Sequence, residues 1–251
     1  MHNLEWDYTA LAASYSQRPN YADAAIERII AFAGLSPGDP VLDLGAGTAH
    51  LTLKLAARQL QVTSLEPNAA MRSIGQARTA ALVNVRWHDA LMQQSGLPAS
   101  AFMLTAYGSS LGVADHDATL REAHRLLRPG GSLTALFNHR DLADPLQREI
   151  EALIRREVPD YSYGNRREDQ APLIRRGGRF VDVQAFEVPF VHEQPRAAWV
   201  EAWSSHATLA RQSGSRFPAI VEAIAALVAA HFPTTTVRVP YITRGWIARR
   251  A

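Results

Sequence analysis

The stretch Val41-Leu-Asp-Leu-Gly-Ala-Gly-Thr-Ala-His50 constrains this chain more than any other part of it. Pro40–Leu44 reads as a short buried strand, and the glycines after it swing the backbone into a helix over Leu51–Leu60. A glycine turn between a strand and a helix N-terminus lets main-chain amides approach a nucleotide-like ligand closely, and it belongs to parallel α/β folds. The turn alone does not separate one nucleotide from another.

The chain keeps the same alternation on both sides of the turn. Apolar spacing predicts a helix over Ala22–Phe32 closed by Gly34, then strands at Val62–Glu66, Val83–Trp87, Ser100–Tyr107 and Leu133–Asn138. Helices at Ala69–Thr79 and Ala118–Leu127 lie between them, the second followed by Arg128-Pro-Gly-Gly131. This order predicts a doubly wound, mostly parallel α/β sheet, seven-stranded once the C-terminal strands are added. Beyond Asn138 we expect a helix at Asp141–Val158, a polar loop at Pro159–Arg176 and a long strand at Arg179–Val191. Helices at Arg196–Gln212 and Pro218–His231 and a final strand at Thr235–Arg249 follow. A chain of 251 residues fits one domain with a lid. Residues 1–21 would be an N-terminal lid, 22–140 the cofactor-binding core and 141–178 an insertion. Residues 179–251 would supply C-terminal strands and substrate-lid helices.

Composition removes several chemistries. There is no cysteine, hence no disulfide, thiolate nucleophile or cysteine-bound zinc. The nine histidines show no metal-type spacing, so no metal is expected. Net charge is only +2 and Lys54 is the sole lysine; the arginine pairs at 155–156, 166–167 and 175–176 could face an anionic partner but read first as solvated surface. A nucleic-acid binder would carry a stronger basic bias with exposed aromatics. The N-terminus does not read as a secretory signal, and no stretch approaches the roughly 18–20 apolar residues of a membrane span. The expectation is a cytoplasmic protein, monomer or homodimer, acting on a small molecule, with no nucleic-acid or membrane partner.

Three residues narrow the ligand of the turn. The dinucleotide fingerprint G-x-G-x-x-G needs glycine at position 50, and the chain has His50. Asp43 lies just before Gly45, where a carboxylate suits an ammonium and repels a pyrophosphate. Glu66 ends the second strand, where an acid reaches ribose hydroxyls. A ligand with a ribose, a positive charge and no phosphate is implied, and S-adenosylmethionine fits.

At these residues the chain resembles the class I S-adenosylmethionine-dependent methyltransferases of the small-molecule branch. Val41–Thr48 is similar to that family's first motif, and Leu65-Glu-Pro-Asn-Ala-Ala-Met71 to its second. His88-Asp-Ala90 and Leu126–Ser132 are similar to two later motifs. The resemblance implies that Asp43, Gly45, Ala46, Gly47, Glu66 and Pro67 hold S-adenosylmethionine, with S-adenosylhomocysteine as product. It further implies Met71 near the adenine, Asp89 and Ala90 at the adenine amino group, and the backbone of Ala106 and Tyr107 against the cofactor. Ala49 departs from a common glycine, a change expected to affect helix packing more than binding. The segment from Trp6 to Tyr21 resembles the family's N-terminal lid, which would bring Tyr15 and Arg18 to the methionine end and Tyr8 to the methyl-transfer cavity.

On the substrate side, Ser110 follows the fourth strand, and the motif that marks DNA and protein-amide methyltransferases is missing there. Trp199, Trp203, His206 and Ala210 fall on one helix face at i, i+4, i+7 and i+11, so Trp203 and His206 are candidates to contact a flat substrate. His139, just past the fifth strand, and Tyr8 are the candidate catalytic side chains. The leading expectation is methylation of a nitrogen or oxygen on a small planar (hetero)aromatic metabolite, as in secondary metabolism. A carboxyl O-methyltransferase for small acids is the alternative, for which the Arg166–Arg179 stretch would serve. A nicotinamide-dependent oxidoreductase conflicts with His50 and Asp43, and a silent binding protein leaves Asp43, Glu66 and Asp89 unexplained.

Overall fold

The computed structural model describes residues 7–251, apart from the Asn165 side chain. Seven strands form one sheet: β1 Pro40–Leu44, β2 Gln61–Leu65, β3 Val85–His88, β4 Phe102–Gly108, β5 Leu127–Arg140, β6 Phe180–Pro195 and β7 Thr236–Arg250. Their order is β3-β2-β1-β4-β5-β7-β6; β7 runs antiparallel to β5 and β6, and every other pairing is parallel. The helices are α1 Ala12–Tyr15, α2 Asp23–Ala33, α3 His50–Ala56, α4 Ala69–Thr79, α5 His116–Leu126, α6 Pro145–Glu157, α7 Ala171–Arg175, α8 Arg196–Ser204, α9 Ala207–Ser213 and α10 Phe217–His231. The expected doubly wound, mostly parallel sheet is therefore what forms.

Both faces of the sheet are covered, which is why its strands are apolar almost throughout. Side chains alternate across β1: Val41 packs with Ile26, Ile29, Leu51 and Leu55 of α2 and α3, whereas Leu42 and Leu44 pack with Leu120 and Ala123 of α5. A third cluster, around Trp199, Ile220, Ile224, Val228 and Val237, joins α6, α8 and α10 beyond the antiparallel edge. Strand order reverses between β1 and β4, so their carboxyl ends open a crevice at the switch point, where ligands of such sheets bind.

Several boundaries differ from the sequence reading. The helix expected over Arg196–Gln212 breaks at Ser205–His206 into α8 and α9. Trp199, Trp203, His206 and Ala210 are thus not one helical stripe, although the Trp203 and His206 rings still stack at 5.2 Å. The loop expected over Pro159–Arg176 contains a 3-10 turn at Gly164–Arg167 and α7. Strand β5 starts six residues earlier than expected because Arg128–Gly131 are absorbed in a register shift against β4. The stretch Ala207–His231, 25 residues, is long and apolar enough to cross a bilayer, contrary to the expectation that no stretch comes near. It folds as α9, a turn at Gly214 and α10, whose Ile220, Ile224 and Val228 are buried. Ala49 is left-handed at φ 74° and fully buried. That conformation costs a non-glycine residue roughly 1–2 kcal/mol, so backbone geometry, more than helix packing, explains why glycine suits this position.

Candidate functional site

The first two parallel strands deliver the acidic half of the cleft. Asp43, near the end of β1, is fully buried; its Oδ2 accepts the Thr52 hydroxyl at 2.7 Å, and its Oδ1 is sealed from solvent with no donor. Burial pushes its pKa up to about 7. Glu66 follows β2 directly: Oε2 accepts the Gly47 N–H and Oε1 the Asn68 N–H, both at 2.8 Å. Burial raises its pKa, against the pull of those two amides. Asn68 then caps α4 by accepting the Met71 N–H at 3.0 Å. Gly45 and Gly47 have φ of 71° and 56°, and a Cβ on Gly45 would lie 2.6 Å from the Ser110 Cβ. The turn is therefore fixed in a shape only glycine adopts at low cost. Beside it opens a cavity of about 240 Å³, lined by Gly45, Gly47, Glu66, Pro67, Asn68 and Met71 on one side and by Met92, Ser109 and Ser110 on the other. A smaller adjoining cavity reaches Asp43, Ala46 and His50.

The N-terminal segment closes this cleft through specific ties. Asn138, at the end of β5, donates to the carbonyls of Pro19 and Asn20 at 3.1 and 3.0 Å. One ring nitrogen of His50 lies 3.1 Å from the Tyr15 carbonyl oxygen and the other 2.8 Å from Asn20 Oδ1. Burial drives the His50 pKa down to about 3, so the ring is neutral at ordinary pH. Arg18 donates twice to Ser205, at 2.7 and 2.8 Å, and lies 4.4 Å over the Tyr15 ring. Tyr8 meets Tyr15 edge-on at 6.0 Å. Tyr8, Tyr15, Ser109 and Val113 form the seam between the cofactor-side cavity and a second chamber of about 90 Å³.

That second chamber has the opposite electrostatics. Arg18, Arg140, Arg166 and Arg167 line it, together with Tyr163, Phe137, His139 and His206, and among the described residues no carboxylate does. His139 stacks on Phe137 at 6.2 Å, and its Nε2 is buried without a partner. Burial first, then Arg167, Arg244 and Arg166, push its pKa down to about 4. His206 is likewise held well below its ordinary value, mainly by burial.

The sequence-derived candidates divide accordingly. Tyr8, Tyr15, Arg18, Gly45, Gly47, Glu66, Pro67, Met71 and Ser110 line the cleft, as do Asp43 and Ala46. Asp89 is turned away: Arg72, which also donates to the Glu66 carbonyl, pairs with it at 2.9 Å, and neither Asp89 nor the buried Ala90 lines the cavity, where Leu91 and Met92 stand instead. Ala106 and Tyr107 are fully buried inside β4, and the cleft is lined two residues later by Gly108, Ser109 and Ser110. Trp203 is a core residue between Arg140 and His206; it borders only a side cavity, while His206 reaches the chamber. Trp6 lies outside the described residues. Sequence reasoning missed Arg140 and Tyr163; of the arginine pairs, 155–156 and 175–176 are exposed as expected, whereas 166–167 is half-buried and lines the chamber. Among the described residues no group of three or more His, Asp or Glu could hold a metal ion.

Residues 41–131 match the family described as "Methyltransferase domain". The chain is 31% identical over 137 residues to the ubiquinone/menaquinone biosynthesis C-methyltransferase UbiE of Rubrivivax gelatinosus, covering 51% of this chain and 53% of that protein. It is 30% identical over 157 residues to UbiE of Vibrio vulnificus, covering 58% and 60%. The chain thus spans little more than half the length of the curated relatives it matches. The fold is similar to a candidate type II methyltransferase from Anaeromyxobacter dehalogenans, with TM-score 0.63 at 19% identity over 93% and 97% of the two chains. It is also similar to phosphoethanolamine N-methyltransferase 2 of Haemonchus contortus, with TM-score 0.57 at 14% identity over 98% of this chain and 58% of the other. The methyltransferase match over residues 41–131, with the motifs, sheet order and glycine turn found there, supports a class I S-adenosylmethionine-dependent methyltransferase domain in this part of the chain.

Proposed function

We propose that this protein transfers the methyl group of S-adenosylmethionine to a nitrogen or oxygen of a small, flat molecule held in the chamber beside His139. The observation that carries the reading is Asp43, a buried carboxylate with one oxygen lacking any donor, set against the glycine turn. A buried carboxylate oxygen without a donor calls for a cation or a hydrogen-bond donor, and the ammonium of an amino-acid moiety is both. Glu66 would take the ribose hydroxyls while its amide bonds hold it in place, and Met71 would lie against the adenine. The residues present therefore fit this cofactor. When bound, it supplies an electrophilic methyl on a sulfonium sulfur.

The chain's own side chains do the rest. Tyr8 and Tyr15 close the seam against water and supply electron-rich rings that would suit a neighbouring positive charge. In-line attack requires the acceptor atom to lie within near-attack distance, so the narrow seam serves as an orienting wall. His139, neutral with a bare Nε2, accepts the proton of an acceptor N–H or O–H as the new bond to carbon forms. Residues 7–21 act as the lid, and the whole chain works as one methyl-transfer unit.

A second reading, transfer to a carbon, is favoured by the names of the relatives, which are C-methyltransferases. Calorimetry with S-adenosylhomocysteine and with NADH tests the common part: the first binds and the second does not. NADH binding without S-adenosylhomocysteine binding sinks it.

A further inference from the structure

We infer that the acceptor molecule carries an anionic oxygen group, a carboxylate or a phosphate, which Arg166 and Arg167 hold from the insertion while Arg18 and Arg140 flank it. The inference rests on the methyl-transfer reading above and names the substrate class of that same cleft.

Four guanidinium groups face one small chamber that, among the described residues, no carboxylate lines. Only Arg140 has an acidic partner there, Glu151 at 2.7 Å behind the wall; among the described residues no ion pair joins Arg18, Arg166 or Arg167 to an acid. Arg167 is the clearest case, because its Nε is sealed from solvent and has no acceptor at all. Gathering half-buried like charges with so little counter-charge is unfavourable, so such a cluster persists where a ligand supplies the missing anion. The wall is also rigid. Arg167 lies 3.7 Å over Tyr163, Arg18 4.4 Å over Tyr15 and Arg140 5.1 Å over Trp203. Arg166 is anchored by donating to Thr208 and to the Tyr163 carbonyl. Stacked, tethered guanidinium groups lose little further freedom on binding, and their planar donors match the oxygens of carboxylate and phosphate.

The arrangement separates two charges along one cleft. Asp43 and Glu66 serve a cationic ligand on one side of the Tyr8–Tyr15 seam, and the arginines serve an anion on the other. A molecule placed anion-first against Arg166 and Arg167 points its far end at the seam. Anionic recognition thereby becomes a device for aiming the acceptor atom as well as for binding it.

Titration calorimetry on the full chain already saturated with S-adenosylhomocysteine tests this, with 4-hydroxybenzoate, phenyl phosphate and the neutral 4-hydroxybenzamide as probes. At least one anion should bind roughly tenfold or more tightly than the amide; the stronger of the two identifies carboxylate or phosphate as the group recognised. The double variant Arg166→Gln, Arg167→Gln should lose that preference while its affinity for S-adenosylhomocysteine stays within about twofold, which also reports that it folds. Raising NaCl from about 0.05 to about 0.5 M should weaken the anions and leave the amide unchanged in the parent protein, a check that needs no variant. Equal binding of amide and anions, no anion binding, or a preference that survives the double substitution overturns the inference and leaves the methyl-transfer reading standing. Failure of S-adenosylhomocysteine itself to bind overturns that reading instead.

Discussion

Glu66 accepts the Gly47 N–H at 2.8 Å, so the carboxylate at the end of β2 is fastened to the glycine turn that follows β1. Two elements that meet only across the sheet are thereby locked in one geometry, with the Asn68 N–H on the second oxygen. Glu66→Ala removes the acceptor of both amides and, on the reading proposed above, of the ribose. A hydrogen bond to a charged group contributes about 1.5–3 kcal/mol, so affinity for S-adenosylhomocysteine should fall on the order of tenfold to a hundredfold by calorimetry. Glu66→Gln should recover part of the loss; an alanine variant that binds like the parent removes Glu66 from the site.

Asp43 holds its proton more tightly in the fold than in the unfolded chain, its pKa rising from 3.8 to about 7 through burial. Its contribution to stability is therefore complete below 3.8 and is lost as pH rises toward about 7. Without ligand, Asp43→Asn should be at least as stable as the parent near pH 8, and its relative advantage should shrink on going down to pH 4 by up to ~1.4 kcal/mol per pH unit. Urea unfolding at several pH values reads this directly. The same variant should bind S-adenosylhomocysteine more weakly, and binding by the parent should strengthen as Asp43 ionises through pH ~7. A variant that is both no more stable at pH 8 and unimpaired in binding contradicts the assignment.

His139→Gln should lower kcat by roughly 10²–10⁴-fold, the span of general-base catalysis, while leaving the Kd of S-adenosylhomocysteine unchanged. Because burial and the neighbouring arginines hold its pKa at about 4, the base stays neutral above that value. The acidic limb that His139 gives to the pH profile of kcat should fall near pH 4 and not near 6.5, and an unchanged kcat in the variant removes it from the chemistry.

Gly45→Ala should damage fold and site together. The added Cβ would sit 2.6 Å from the Ser110 Cβ at a φ of 71°, and left-handed backbone alone costs a non-glycine residue roughly 1–2 kcal/mol. A drop in Tm with loss of S-adenosylhomocysteine binding is expected; a variant with unchanged Tm shows that the turn can relax around the methyl.

What the sequence determined by itself was the acidic half of the cleft. Asp43, Gly45, Gly47 and Glu66 lie in strand–turn–helix units, where local spacing dictates which end of the sheet each residue reaches. Alternation of strands and helices likewise settled the parallel part of the sheet. Near the ends of elements the same reasoning drifted: Ala106 and Tyr107 lie inside β4 while Ser109 and Ser110 line the cleft, and His206 sits at a helix break that the apolar stripe concealed. Only the tertiary structure assembled the basic half. Arg18 comes from the lid, Arg140 from the end of β5 and Arg166–Arg167 from a turn in the insertion, segments with no shared periodicity. Asp89, a motif residue by sequence, pairs with Arg72 and is not among the residues that line the cavity, a matter of side-chain placement. The physical reason is the range of the interactions: backbone conformation and strand polarity are written in neighbouring residues, whereas the field inside a cavity sums charges that become neighbours only once the chain has folded.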